Sequence, residues 1–505
     1  MFDACLSPLP APTHLAACRS AAEQLVANPT LEQHPAPPPA QPRRGRHHLI
    51  ELVRRRPEPL IALAVLVLAA LIVVWARTRP GYDPYGWLVW GRQTIKGALD
   101  TNAAPSWKPL PYLFTLPYAV AGHYQLWLWM ITSVAISLSG VVFAARIAYR
   151  VTDAPPERRW AAYVAGAFAG LALLGISDYA HYVLSAQSDP LIASLCLGAI
   201  DCHLSRRPRW AFALLVLASL GRPEVWPFIA AYAIWAWLRV PPMRWLVVAG
   251  AVVVLALWFG IPGLTSDSFF QAGSHALGSG RAIHGNKATG IISRFLHLHE
   301  TGLELMALLS VVLAVLRRDR TTLALAAGAV LWVIVEIAFA LHGWPGVPRY
   351  MFPAAAVMVV VAAVGVGRLL AEPPRLSTAA GVIGIAVVAA VVISLVPPAI
   401  SDARAEHKDL NEQRVRTKEI GQLTGVIRRL GGAARLRGCG EPLTRLEYQS
   451  ILAWNLNVNV ATVGFKYGPA IASTRPIVLF SPLPQGGWKV TALHQRTADC
   501  RSLPH

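Results

Sequence analysis

Eleven stretches of apolar residues, separated by charged or proline-rich sequence, run the length of this chain and restrict it to folds whose helices face lipid. They cover 60–76, 124–145, 160–176, 188–204, 210–221, 225–239, 245–262, 301–316, 322–341, 351–370 and 379–397. Most approach the roughly 20 residues a helix needs to cross a hydrocarbon core; 210–221 is the short one. With 54% of its 505 residues hydrophobic and only 14% charged, the chain lies outside the profile of soluble globular proteins.

A net charge of +19 could suggest nucleic acid, but the arginines fall in short clusters between apolar runs rather than on one basic domain. The clusters are Arg43, Arg44, Arg46 and 54–56; Arg146, Arg150, Arg158 and Arg159; Arg206, Arg207 and Arg209; Arg239 and Arg244; Arg317, Arg318 and Arg320; Arg368 and Arg375. They occupy every second loop, so the positive-inside rule predicts an N-terminus inside and a C-terminus outside. Omitting 210–221 would invert every later loop, which supports that span. The expectation is an α-helical polytopic membrane protein with about eleven transmembrane helices, followed by a small C-terminal α/β extracytoplasmic domain.

Three segments follow. Residues 1–59 read as a disordered, basic cytoplasmic leader: they are rich in Ala and Pro and lack the apolar core of a signal peptide. Residues 60–397 form the membrane region, with long outer loops at 77–122 and 262–300, and 398–505 form the soluble tail. In that tail 402–430 reads as helix, and NVNVATVGF and RPIVLF read as strand. Cys439 and Cys500 share the tail, where oxidation is permitted, and are expected to pair; Cys5 and Cys18 lie in the leader, Cys196 and Cys202 in or beside a span. The Ala, Val, Arg and Pro usage is compatible with a high-GC bacterium and with its plasma membrane.

Carboxylates, histidines and Trp-rich stretches concentrate in the outer loops, so any chemistry is expected on that face. The first outer loop carries Asp83 in GYDPYGW and Lys108 in SWKPLPY. A carboxylate there could take a proton from an acceptor hydroxyl, and a nearby cation could hold a phosphate leaving group; Asp before Pro also starts helices. An amphipathic stretch from Tyr85 to Ile95 suggests an interfacial helix that dips Trp87 and Trp90 toward lipid or substrate. Trp107 shares the loop.

Further candidates follow along the chain. Asp178 and Asp189 form a second acidic pair, with Asp189 also placed to cap a helix. Arg222 and Glu224 flank Pro223 and could simply pair with each other. Arg349 and Tyr350 enter a late span, where a guanidinium can grip phosphate in two places or snorkel to headgroups. The Gly-containing 262–300 loop reads as a mobile lid. It holds His284, His297 and His299, which offer imidazoles to a divalent metal; HLH spacing without a third fixed ligand specifies none.

An acid in a Tyr-Asp context soon after the first span, a Lys-Pro-Leu-Pro-Tyr segment downstream in the same loop, and an Arg-Tyr-x-x-Pro entering a late span resemble the GT-C superfamily. This superfamily comprises polytopic glycosyltransferases that use polyprenyl-phosphate sugars, as protein mannosyltransferases and aminoarabinose transferases do. The resemblance covers roughly 60–400. It implies that Asp83 is the base of an inverting transfer of a hexosyl or pentosyl group. It implies that Lys108, Pro109, Leu110, Pro111 and Tyr112 correspond to the family's Lys-Pro segment, and Arg349 and Tyr350 to its late Arg-Tyr. Lys108 and Arg349 would then neutralise the departing phosphate. Members often show paired acids where this chain has Asp83-Pro84, which leaves the second acidic role to Asp178 or Asp189. Expected partners are a polyprenyl-phosphate-sugar donor, a cell-envelope glycan, lipid or protein as acceptor, and the bilayer, with no nucleic acid.

Two other readings remain. A transporter or lipid flippase needs ionisable groups near the bilayer midplane, and Glu336 is the clear candidate. A non-catalytic anchor would place all function in the tail.

Overall fold

The computed structural model describes residues 58–103, 105–277, 280–371, 378–495 and 497–501. The predicted leader, with Cys5, Cys18 and the arginines from Arg43 to Arg56, lies outside the described residues, as does Arg375.

Every one of the eleven apolar runs is helical. Among the described residues, six helical segments are long and apolar enough to cross a membrane: Glu58–Ala76, Pro109–Thr152, Pro241–Thr265, Arg320–Leu341, Pro348–Ala371 and Gly381–Arg429. Lys287–Leu296 and Thr301–Leu316, bent by 99° to each other, make a seventh if they form one span. The runs near 160–176, 188–204, 210–221 and 225–239 form helices of 16, 17, 12 and 14 residues, shorter than a perpendicular crossing requires. Glu58–Ala76 turns Leu63, Val67, Leu71 and Val74 outward, more than half exposed. An apolar outer surface of this kind is that of an integral membrane protein.

The centre of the assembly is Phe352–Ala371, which is buried along nearly its whole length. It is built of Ala, Val and Gly, and small residues let helix backbones approach closely where no hydrophobic effect separates helix from lipid. A methyl group at Gly367 would lie 2.7 Å from Ala165 and Thr152, and one at Gly365 would lie 2.8 Å from Ser310. Buried charges hold one end of the bundle: Asp201 receives Arg146 and Arg150, each at 3.1 Å, and Asp319 caps Arg320–Leu341 and pairs with Arg368.

Trp87 and Trp90 of the Tyr82–Ile95 helix do not dip toward lipid. Both are fully buried, because this helix is enclosed by Pro109–Tyr118 and by Gln449–Leu456 of the tail. Trp87 packs edge-on against Trp129, and Trp90 packs against Trp107. The indoles fill core and face neither lipid nor an open groove.

The last apolar run continues into the tail as one helix, Thr378–Arg429, through Pro397 and Pro398. The tail then folds as short helices over a three-stranded sheet. β1 (Glu441–Leu443) lies parallel to β2 (Ile477–Pro482), and β2 lies antiparallel to β3 (Trp488–Leu493). RPIVLF supplies β2 as expected. NVNVATVGF does not form a strand: it holds the Val460–Thr462 turn and a single bridge at Gly464.

Cys439 and Cys500 are disulfide-bonded across a separation of 61 residues. In the loop-entropy treatment a closure of that length contributes about 4 kcal/mol. Replacing both cysteines by alanine is therefore expected to leave the membrane region folded and make 430–501 protease-sensitive. Equal digestion of variant and parent would contradict this.

Candidate active site

Asp83, Lys108, Asp189, Arg222 and Arg349 each lie beside a proline at the start of a helix or helical turn. Asp83 precedes Pro84 in the first turn of Tyr82–Ile95, and Lys108 is the N-cap before Pro109. Asp189 precedes Pro190 in the first turn of Ser188–Leu204; Arg222 precedes Pro223 with an extended backbone, and Arg349 follows Pro348. Proline is tolerated in a first turn because the N–H it lacks would be unpaired there, and Pro109 and Pro223 hold the preceding Lys108 and Arg222 extended. Each charged side chain is thereby held at a helix mouth instead of along a lipid-facing side.

These mouths meet. Arg222 is bonded to Asp189 through Nε at 2.9 Å and also through Nη2, and to Glu224 through Nη1 at 3.0 Å. Arg349 donates to Asp83 Oδ2 at 3.4 Å and lies 3.7 Å from Asp189 Oδ2, an ion pair beyond hydrogen-bond length. The result is a chain of alternating charge, Asp83, Arg349, Asp189, Arg222, Glu224. Asp189 and Glu224 side chains are fully buried, whereas Asp83 keeps 21% of its side chain exposed. Asp83 is thus the open end of a buried relay.

Aromatic rings support the two guanidiniums. Arg222 lies 3.5 Å from the centroid of Tyr350, and Arg349 lies 5.4 Å from Tyr182 and 5.8 Å from Tyr350. Such contacts stabilise a cation without neutralising it. Burial alone would lower the Arg222 pKa, but Asp189 and Glu224 reverse this and raise it. Lys108, half-buried, donates to Ser188 Oγ at 3.2 Å and lies 5.6 Å from Trp87. Burial pulls its ammonium down to about 8, and Asp189 opposes that fall.

Among the described residues, Asp189 Oδ2, Glu224 Oε2 and Arg349 Nε are buried without a hydrogen-bond partner. Glu336 joins the cluster from the Arg320–Leu341 helix, fully buried and within electrostatic range of Glu224 and Arg222, with Oε1 also unpartnered.

Other candidates stand apart. Asp178 is exposed, in a left-handed conformation at φ 60°. His284 is exposed on the 262–300 segment, and no group of three or more metal-ligating side chains occurs among the described residues. Tyr112 is buried but donates to Thr94 Oγ1 and packs on Trp107, not on the charges. The 262–300 segment is tied to the site: Arg294 donates to the carbonyls of Pro345 and Gly346 at 2.9 and 2.8 Å, just before Arg349. Tyr182 carries no motif, and only the packing brings it here; Ser188 comes with its neighbour Asp189.

No family model matches the sequence, nor does any curated protein. Among solved structures the chain is similar to ArnT from Cupriavidus metallidurans in a crystal structure with bound undecaprenyl phosphate. That match has 15% identity and a TM-score of 0.48, over 84% of this chain and 93% of that one. It is also similar to ArnT from the same organism in the apo state, at 15% identity and a TM-score of 0.49 over the same shares.

Proposed function

We propose that this protein is an inverting membrane glycosyltransferase that moves a sugar from a polyprenyl-phosphate donor to a cell-envelope acceptor on the outer face. In this reading the N-terminus lies inside and the tail outside, as the arginine clusters between the apolar runs predict. The observation that carries the proposal is one partly open carboxylate, Asp83, beside two cations, Arg349 and Lys108, that have no carboxylate to themselves. Arg349 is shared between Asp83 and Asp189, and Lys108 has a hydroxyl, not a carboxylate, as its hydrogen-bond partner.

An inverting transfer needs a base on one side of the anomeric carbon and a home for the leaving phosphate on the other. Asp83 removes the proton of the acceptor hydroxyl as that oxygen attacks the anomeric carbon. The bond from that carbon to the phosphate oxygen breaks, and the polyprenyl phosphate leaves carrying the electron pair. Arg349 and Lys108 neutralise it, through two guanidinium donors and a point charge. Asp189, Glu224 and Arg222 hold Arg349 in place. The convergence of helix starts adds positive potential at the same place.

Lys108 provides a pH test. A phosphate monoester is largely dianionic above pH 7, so between pH 7 and 9 the changing charge is the ammonium. Affinity of the purified protein for undecaprenyl phosphate is expected to fall as pH rises through about 8. Lys108→Met should bind weakly with no step, and Lys108→Arg should move the step above pH 9. A parent profile flat from pH 7 to 9 would remove Lys108 from the phosphate site.

The decisive experiment is glycan and lipid analysis of cells lacking the protein. A transferase leaves its lipid-linked sugar to accumulate while one glycan disappears. A flippase leaves that lipid on the inner leaflet, and its loss is repaired by supplying the sugar lipid outside.

A further inference from the structure

The tail grips the turn that carries Asp83 at several points. Ser450 Oγ donates to the Tyr82 carbonyl at 2.6 Å, and the Tyr82 hydroxyl donates to Gln449 Oε1 at 2.9 Å. Gln449 is itself held, its amide donating to the Val463 carbonyl at 2.6 Å and to that of Val460 at 3.4 Å. From the Thr378–Arg429 helix, Arg416 donates to the Pro80 carbonyl and Arg414 Nε to that of Ala76 at 2.9 Å. On the opposite side, Gly81 N–H donates to the Ser185 carbonyl at 2.8 Å and Thr78 Oγ1 to that of Leu184 at 2.9 Å. Ser185 lies four residues before Asp189.

The turn before Asp83 is therefore held between the tail and the segment that leads into Asp189. Simple docking of a soluble domain would need no buried hydroxyl aimed at one carbonyl of the residue preceding the candidate base. Ser450 is fully buried and Gln449 nearly so.

We infer that Gln449 and Ser450 are positioning residues for Asp83, so that the tail completes the active site through the backbone of Tyr82. The inference rests on the reading of Asp83 as the base. It gives the tail a role in the chemical step: Ser450 and Gln449 set where the carboxylate points, and neither touches the substrate. Losing either contact lets the first turn of Tyr82–Ile95 shift, and displacements of an ångström at a reacting group slow catalysis by up to about 100-fold.

The test uses the full-length protein. Ser450→Ala, Ser450→Thr, Tyr82→Phe and Asp83→Asn are each placed in deletion cells, and glycan formation and the lipid-linked sugar pool are followed over time. Each purified protein in nanodiscs is also titrated with undecaprenyl phosphate. Ser450→Ala and Tyr82→Phe are expected to slow glycan formation about 10-fold while binding undecaprenyl phosphate within twofold of the parent, and Ser450→Thr to restore the rate. Parallel loss of rate and lipid affinity would mean a merely structural contact and overturn the inference. So would parental rates in Ser450→Ala and Tyr82→Phe beside an inactive Asp83→Asn, an outcome that leaves the transferase reading intact. Parental activity in Asp83→Asn overturns both. Should Ser450→Ala fail to accumulate, Tyr82→Phe decides alone, since it deletes one hydroxyl and keeps the ring.

Discussion

Arg222→Met is expected to abolish function and to destabilise the protein by about 3–5 kcal/mol, the usual cost of removing one partner from a buried ion pair. The size follows from what is left behind. Asp189 and Glu224 are fully buried and share Arg222 as their hydrogen-bonded partner. Without it two carboxylates, with Glu336 nearby, would face one another in a medium that does not solvate them. The measurement is the thermal midpoint of the purified protein beside glycan formation in cells. A triple variant, Arg222→Leu with Asp189→Leu and Glu224→Leu, should recover most of the stability, because a buried ion-pair network exchanges for apolar packing at little cost. It should recover no activity. An Arg222→Met protein as stable as the parent would mean that water reaches the cluster and that its burial is not what organises the site.

Asp83→Asn should show the opposite pattern: full stability and a loss of turnover of roughly 10²–10⁴-fold, the range that a general base contributes. Asp83 is the least buried acid of the relay, and its pair with Arg349 is long at 3.4 Å, so the neutral amide costs the fold little. Arg349 keeps Asp189 as a counter-charge. The variant should therefore still bind undecaprenyl phosphate and should accumulate the donor lipid in cells. Loss of stability together with activity would recast Asp83 as one more structural partner of Arg349.

The class of the fold was legible because a bilayer imposes its demand on every residue of a span. Continuous apolar runs and the clusters of arginine between them report that demand directly, and all eleven runs are helical. Which of them cross a membrane was less legible. Helices such as Pro208–Ser219 and Trp226–Arg239 are shorter than a crossing, and their place depends on neighbours and not on composition. The Tyr82–Ile95 helix shows the same limit: its pattern fits an interface, but Trp87 and Trp90 face other helices and the tail, which lie far away in the chain.

For the site, sequence alone determined the residue types and their setting, a charge beside a proline at the end of an apolar run, because that local arrangement is what starts a helix at a membrane boundary. It also left Asp178 and Asp189 equivalent, and offered His284 and Tyr112 beside Lys108 and Arg349. Only the tertiary structure separated them. It turned Asp178 and His284 outward and set Tyr112 among Thr94 and Trp107. It joined Asp83, Asp189, Arg222, Glu224 and Arg349, residues as far as 266 positions apart, into one ion-paired row, and brought Tyr182 and Glu336 to it. The physical reason is that pairing energy between charges depends on distance in space and on exclusion of water, and packing alone sets both.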